Sequence, residues 1–420
     1  MRTSIYLLLM GTAAGMSLLR GFVVAGLLPA ASFTTYAVVV AVGTFLSNLL
    51  SFGLIEGTVK QFPRIAVSGG AAELLSLSDG AIGRLAVRTL YWLPLFAIIT
   101  YLADRAHPFA FVAVALIAYG VAVLGVLASV QRALLNVLNV ALANGFRAAL
   151  YLVLAALGVW VLGLFGAVAG EILAAALGAL GSRGIFKRTL RSLSPTAGRI
   201  AVQDVASRIK AERGVTLFVA YSATAVPTYL DRPYVAGVFS RVDSAAYAVM
   251  ILFATGATVL VNIVGQKVGP ELIQRERTGA SLRALMVHAL KWSVAIIGVW
   301  IAIITAAGAL FSSGAFAFVF AKYALTVPMF VAVAFLGCTQ VTSLFEFILI
   351  ARDMERQMLA LSLVYFGTVC GVALAVALSR ASVIAFIELL ALARAAYLVL
   401  IVIVLSGSGA PSRRTPLVAG

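Results

Sequence analysis

The chain has 420 residues, of which 63% are hydrophobic and 11% charged, with a mean hydropathy of +1.09 and a formal net charge of +16. Soluble domains hold about 45–50% apolar and about 25% charged residues, so this composition excludes an aqueous fold and requires a bilayer. With two cysteines, Cys338 and Cys370, and two histidines, His107 and His288, it also excludes a disulfide framework or a zinc site, and it contains no Gly-rich phosphate loop and no Ser/His/Asp set.

A helix needs about 20 mostly apolar residues to cross the hydrocarbon core. A window of that length places spans at 4–28, 33–57, 84–103, 109–130, 141–163 and 166–186, then at 214–238, 243–266, 286–312, 324–350, 357–379 and 383–406. The opening run, Met1-Arg2 and then Ser4 to Met10, has the look of a secretory signal, but the apolar stretch continues past Arg20 and no soluble domain follows. It is read as the first retained span. Span seven carries Pro227 and Pro233, each of which frees a carbonyl one turn earlier, at Ala223 and Tyr229, and predicts a broken helix.

The cations set the topology. With the N-terminus inside, the inner loops and span ends hold Arg2, Lys60, Arg64, Arg84, Arg88, Arg132, Arg147, Lys267, Arg352, Arg413 and many more, while the outer side holds Arg105, Arg241, Lys322 and Arg380. This positive-inside bias puts both ends in the cytoplasm and accounts for the net charge without nucleic acid; membrane lipids with anionic headgroups are the partner it implies. Every outer loop is short, which argues against a glycan polymerase, ligase or glycosyltransferase and so against an enzyme.

The second half echoes the first. Val24-Ala25-Gly26 and Tyr36-Ala37-Val38 match Val235-Ala236-Gly237 and Tyr247-Ala248-Val249 without gaps, at an offset of 211; Arg84…Leu90-Tyr91-Trp92 weakly matches Arg283…Leu290-Lys291-Trp292. The offset gives six spans per half and hence like-oriented copies. The expected fold is therefore an all-α polytopic membrane protein of about twelve transmembrane helices, in two six-helix lobes related by a pseudo-two-fold axis along the membrane normal. The expected boundaries are an N-terminal lobe at 1–193, a cytoplasmic linker at 194–213, a C-terminal lobe at 214–411 and a short tail at 412–420. In the linker Ile200, Val205 and Ile209 share a helical face, which suits an amphipathic helix on the inner leaflet; a plain cationic linker is the alternative.

Leu18-Leu19-Arg20-Gly21, Ala25-Gly26-Leu27-Leu28-Pro29 with Phe33-Thr34-Thr35-Tyr36, Leu49 to Leu54 with Lys60-Gln61-Phe62-Pro63-Arg64, and Tyr229-Leu230-Asp231-Arg232 leading to Tyr247 and Pro270-Glu271 resemble a particular family. It is the polysaccharide/oligosaccharide (Wzx-type) flippases of the multidrug/oligosaccharidyl-lipid/polysaccharide (MOP) exporter superfamily. Where that family carries glycine two residues before each junction tyrosine, this chain has Thr34 and Ala245. The resemblance implies a transporter that moves an anionic, polyprenyl-diphosphate-linked glycan from the inner to the outer leaflet by alternating access. It implies no cofactor, and it names a polysaccharide polymerase or glycosyltransferases as partners.

Charges at membrane depth cost about 2.5–3.5 kcal/mol on insertion scales and persist where they face water or a partner. Arg20, deep in span one, can grip a phosphate through two parallel hydrogen bonds; a structural ion pair is the alternative. Asp231 and Arg232 lie at the break of span seven, and the repeat aligns Asp231 with Arg20, so the two are expected to face each other. Arg147, Lys60, Arg64 and Lys267 form a candidate inner attraction site for the headgroup, or simple anchors. Glu171, Glu346 and Glu388 are candidates for coupling to a proton or sodium gradient, and Glu388 and Arg394 share span twelve as a possible neutral pair. A drug/cation antiporter of the same superfamily is the competing transporter; it would favour carboxylates in the first lobe's cavity.

Overall fold

A computed structural model describes residues 2–52, 54–55, 62, 71–103, 110–133, 137–191, 215–314 and 320–407. Lys60, Arg64, the linker 194–213 and the tail 412–420 lie outside the described residues. The described chain is helical throughout: α1 Arg2–Leu27, α2 Ala30–Ser51, α3 Ala71–Ala103, α4 Ala110–Ala133, α5 Val137–Arg191, α6 Val215–Tyr229, α7 Asp231–Val238, α8 Arg241–Arg277, α9 Leu282–Ser312, α10 Val327–Cys338, α11 Thr342–Ala351, α12 Glu355–Ser379 and α13 Val383–Gly407.

Among the described residues, ten helices are long and apolar enough to cross a membrane. Two features reconcile ten with the expected twelve. The stretch Leu138–Phe186 is two spans in one, because α5 turns back on itself at Gly163, whose φ of 59° and ψ of −131° suit only glycine. Span seven is present but broken into α6 and α7 at Leu230, where the ring of Pro233 removes the donor that Tyr229 would have used.

Three boundaries differ from expectation. Helix α3 begins at Ala71 rather than near 84, since Glu73, Ser76, Ser78 and Asp79 lower the local hydropathy without opposing helix formation. Helix α8 likewise continues beyond 266 to Arg277. The tenth span, expected to be continuous over 324–350, is interrupted by a 3-10 turn at Thr339–Val341.

The chain forms two compact units, residues 1–253 with 310–327, and residues 254–309 with 328–420. In the first unit α1 packs along α5, while α4 is embraced by α2, α3 and α5. Val42, Leu46, Leu77, Phe96, Val114 and Val126 make a contiguous core, against which Val226 and Tyr229 of the broken span pack. Small residues permit the closest approaches. A Cβ at Gly158 would lie 2.0 Å from the Gly166 carbonyl oxygen, and one at Gly170 would lie 2.4 Å from that of Leu154. The two arms of α5 are therefore in backbone contact, as small residues allow in membrane helices.

One distant segment closes the end of α1. In the 3-10 turn Ala321–Tyr323, the Lys322 ammonium donates to the carbonyls of Gly26 (2.8 Å) and Leu28 (2.6 Å), and the Tyr323 hydroxyl donates to that of Ala25 (2.5 Å). These are carbonyls that a helix C-terminus leaves without partners, and a cation suits them. Phe33 meets the ring of Tyr323 edge-on at 5.9 Å.

In the second unit α13 packs on α12 and α11. Side-chain hydrogen bonds line the interruption between α10 and α11. Thr339 donates to the Leu336 carbonyl (2.7 Å), Thr342 to that of Thr339 (2.6 Å), and the Trp300 indole to that of Ala334 (3.0 Å). Irregular backbone at membrane depth requires such partners.

Candidate functional site in the first unit

Glu171 stands at the centre of the main constellation. It comes from the second arm of α5 and is almost completely buried, at 2% exposure. Its Oε2 accepts from the Arg20 guanidinium of α1 at 2.8 Å, and its Oε1 accepts from the Tyr36 hydroxyl of α2. The Arg20 guanidinium also lies over the ring of Tyr151, 5.1 Å from its centroid, on the first arm of α5. Arg147 sits one turn before Tyr151, near enough to act electrostatically on both Tyr151 and Arg20. Gly178 of the opposite arm leaves room for its stem, since a Cβ there would come within 3.3 Å of the Arg147 Cγ.

The packing of α1 on α5 and the reversal at Gly163 thus bring together groups that are up to 151 residues apart. Among the described residues the charges do not balance: Glu171 pairs with Arg20, and Arg147 stands near Arg20 as a second guanidinium. The Arg20 side chain is 22% exposed and its buried Nε has no hydrogen-bond partner among the described residues, so the guanidinium keeps donors to spare.

The break in span seven carries a second constellation. Asp231 opens α7 and is 6% exposed. Its Oδ2 accepts from the Tyr247 hydroxyl at 2.6 Å and its Oδ1 from the Arg232 amide at 2.8 Å. A carboxylate in the first turn also suits the positive end of the helix. The expected pairing of Arg20 with Asp231 is therefore corrected: Arg20 is held by Glu171, which is the nearer acid across the α1–α5 contact, and Asp231 by Tyr247 and its own helix start.

The remaining candidates separate. Lys267, in the second unit, lies over the ring of Trp292 at 5.4 Å, while Arg147 belongs to the Glu171 cluster. Glu346 is buried in α11 at 7% exposure, where the Tyr397 hydroxyl donates to it and Arg394 acts on it electrostatically. Tyr397 also shares a hydrogen bond with Ser362 (3.2 Å) and stacks on Tyr365, over which Arg394 lies at 5.9 Å. Glu388 is exposed and does not neutralise Arg394. Six residues along a helix rotate the side chain by about 240°, which puts the two on different faces.

Tyr151, Tyr365, Tyr397 and Ser362 were not singled out from the sequence. The signal for Tyr151 was present in its i,i+4 spacing from Arg147. The others gave none.

The fold has known counterparts. An inward-facing multidrug resistance MATE family transporter of the MOP superfamily superposes with a TM-score of 0.64 at 13% identity, covering 94% of each chain. The lipid II flippase MurJ, in an inward closed conformation, gives 0.63 at 12% identity, over 96% of this chain and 87% of that one. A point mutant of the Vibrio cholerae MATE transporter VcmN gives 0.59 at 17% identity, over 96% of both. No family model and no curated protein matches the sequence. At these identities the likeness establishes the fold: an all-α, polytopic membrane architecture of the MATE and MurJ type, which the expected two-lobe arrangement fits.

Proposed function

We propose that this protein is a transporter that flips a polyprenyl-diphosphate-linked oligosaccharide from the inner to the outer leaflet of the cytoplasmic membrane by alternating access, supplying cell-surface polysaccharide export. The observation that carries the reading is the surplus cation of the Glu171 cluster, Arg20 and Arg147 against one carboxylate. A diphosphate leaving water needs positive partners, and guanidinium is the side chain best shaped for it. The positive-inside arrangement, with both termini cytoplasmic, would gather such a headgroup on the inner side. A fold shared with a lipid II flippase is compatible with a lipid cargo. An ion gradient would drive the cycle, with the buried Glu346 as the candidate carrier.

A drug/cation antiporter is the second reading. Glu171 favours it, since it places a carboxylate in the first unit after all, and the multidrug resistance MATE neighbour is compatible with it.

A leaflet-translocation assay in proteoliposomes with a lipid-diphosphate glycan separates the two. Wild type moves the lipid, and Arg20→Ala, losing a charge-assisted contact of about 1.5–3 kcal/mol, moves it about ten- to a hundredfold more slowly. Equal rates for the two proteins would remove Arg20 from the mechanism. Proton-driven exchange of organic cations with no lipid movement would establish the antiporter.

A further inference from the structure

Glu171 is bound in an asymmetric way. Its two oxygens have different holders: Arg20 on Oε2 and Tyr36 on Oε1. If Arg20 leaves, the carboxylate keeps a hydrogen bond in its buried seat. Arg20 in turn keeps the Tyr151 ring beneath it if Glu171 lets go, and its Nε is already without a partner. The Arg20 side chain is partly exposed, at 22%, although its Nε is buried, and the carboxylate is sealed, at 2%. Either partner can thus lose the other without being left bare.

A permanent structural ion pair would have no need of this arrangement. A buried pair normally depends on both members, because removing one leaves an uncompensated charge. Here Arg147 stands beside Arg20 as a second cation, so among the described residues the empty site is short of negative charge. A diphosphate can supply it, and can engage a guanidinium fork through two parallel hydrogen bonds where Glu171 makes one.

We propose that Glu171 is a placeholder for the substrate's phosphate: it occupies Arg20 while the site is empty and yields it to the incoming headgroup, falling back on Tyr36. This deepens the flippase reading and rests on it. The exchange sets the affinity of the site. Part of the attraction between Arg20 and any phosphate is spent on releasing Glu171, which weakens binding enough for the headgroup to leave again. It also keeps a desolvated guanidinium from standing unpaired in the empty transporter.

The test uses farnesyl diphosphate as a soluble probe, titrated calorimetrically into the full-length protein in detergent. Glu171→Gln removes the competing charge. Glu171→Asp keeps the charge but withdraws it by ~1.5 Å, one carbon–carbon bond, beyond reach of Arg20. A placeholder predicts that both variants bind the probe about tenfold tighter than wild type, and that Arg20→Ala binds it at least about tenfold more weakly. Tightening in Glu171→Gln alone, with Glu171→Asp at the wild-type value, means through-space repulsion and overturns the proposal. Unchanged or weaker binding in both means a permanent partner and overturns it too, while a weakened Arg20→Ala would leave the flippase reading standing. No binding by any of the four proteins would remove the flippase reading and the placeholder together. Should Glu171→Gln fail to elute as a monodisperse protein, Glu171→Asp against wild type decides alone.

Discussion

The hairpin of α5 positions the whole Glu171 cluster, and its weakest point to perturb is Gly166. A Cβ placed there would lie 1.8 Å from the carbonyl oxygen of Gly158, 2.5 Å from its carbon and 3.0 Å from its Cα. Every one of these atoms is backbone, so no rotamer change relieves the clash. Carbon–oxygen contacts between helices sit at about 3.3–3.6 Å, and Gly166→Ala must therefore part the arms by about 1.5 Å. Overpacking of this kind costs about 1–3 kcal/mol, against which alanine returns up to about 1 kcal/mol of helix propensity. In lipid no hydrophobic force draws the arms together again, because the contact is one of packing. The net expectation is a loss of about 1–2 kcal/mol and a widened gap between Glu171 on one arm and Tyr151 on the other. The control is Gly145→Ala on the same helix, where an added Cβ meets nothing within 4 Å and the change is neutral or slightly stabilising. Thermal unfolding of the detergent-solubilised variants, followed by fluorescence-detected size exclusion, reads the difference. A midpoint for Gly166→Ala at or above that of Gly145→Ala would refute the backbone contact.

Three further substitutions test other parts of the structure. Tyr247→Phe removes the hydroxyl donor from the buried Asp231 and is expected to destabilise by about 1–3 kcal/mol in the same assay; an unchanged midpoint would mean that Asp231 does not depend on the hydroxyl. Trp300→Phe strips the donor from the Ala334 carbonyl beside the interrupted tenth span, with an expected loss of about 1–3 kcal/mol, and no loss would show that the carbonyl finds another partner. Lys322→Ala uncaps α1, so amide exchange at Leu27 and Leu28 is expected to accelerate about tenfold, while unaltered exchange would count against a capping role.

What could be read in the sequence was what hydropathy and charge encode. Span number follows because apolar length is a local property, and even the hairpin in α5 reads from the sequence as two spans meeting near Gly163. The break of span seven was legible because proline announces a missing donor. That of the tenth span is not legible in the sequence: no proline marks the 3-10 turn at Thr339–Val341, and the close fit of Trp300 against Gly337, where a Cβ would come 2.1 Å from the indole nitrogen, depends on tertiary packing. Arg20 and Glu171 were each recognisable as costly, but not as partners. Pairing is set by which helices pack, and a separation of 151 positions along the chain carries no record of it.

The internal repeat gives the pairing a further meaning. Tyr36 and Tyr247 occupy matched positions, and each donates its hydroxyl to a buried carboxylate. The acids come from different places: Glu171 from the α5 hairpin, Asp231 from the residue that matches Arg20. The two halves expected to be copies thus share a tyrosine–carboxylate contact while carrying opposite charges at the matched position in the first span of each. In the second copy the acid is satisfied locally, by Tyr247 and the start of α7, with no ion pair across the helices among the described residues. In the first copy the acid is shared between a tyrosine and a partly exposed arginine. Of these two carboxylates, only Glu171 is ion-paired among the described residues, and under the proposed flippase reading its arginine is the donor that an incoming anion would take over.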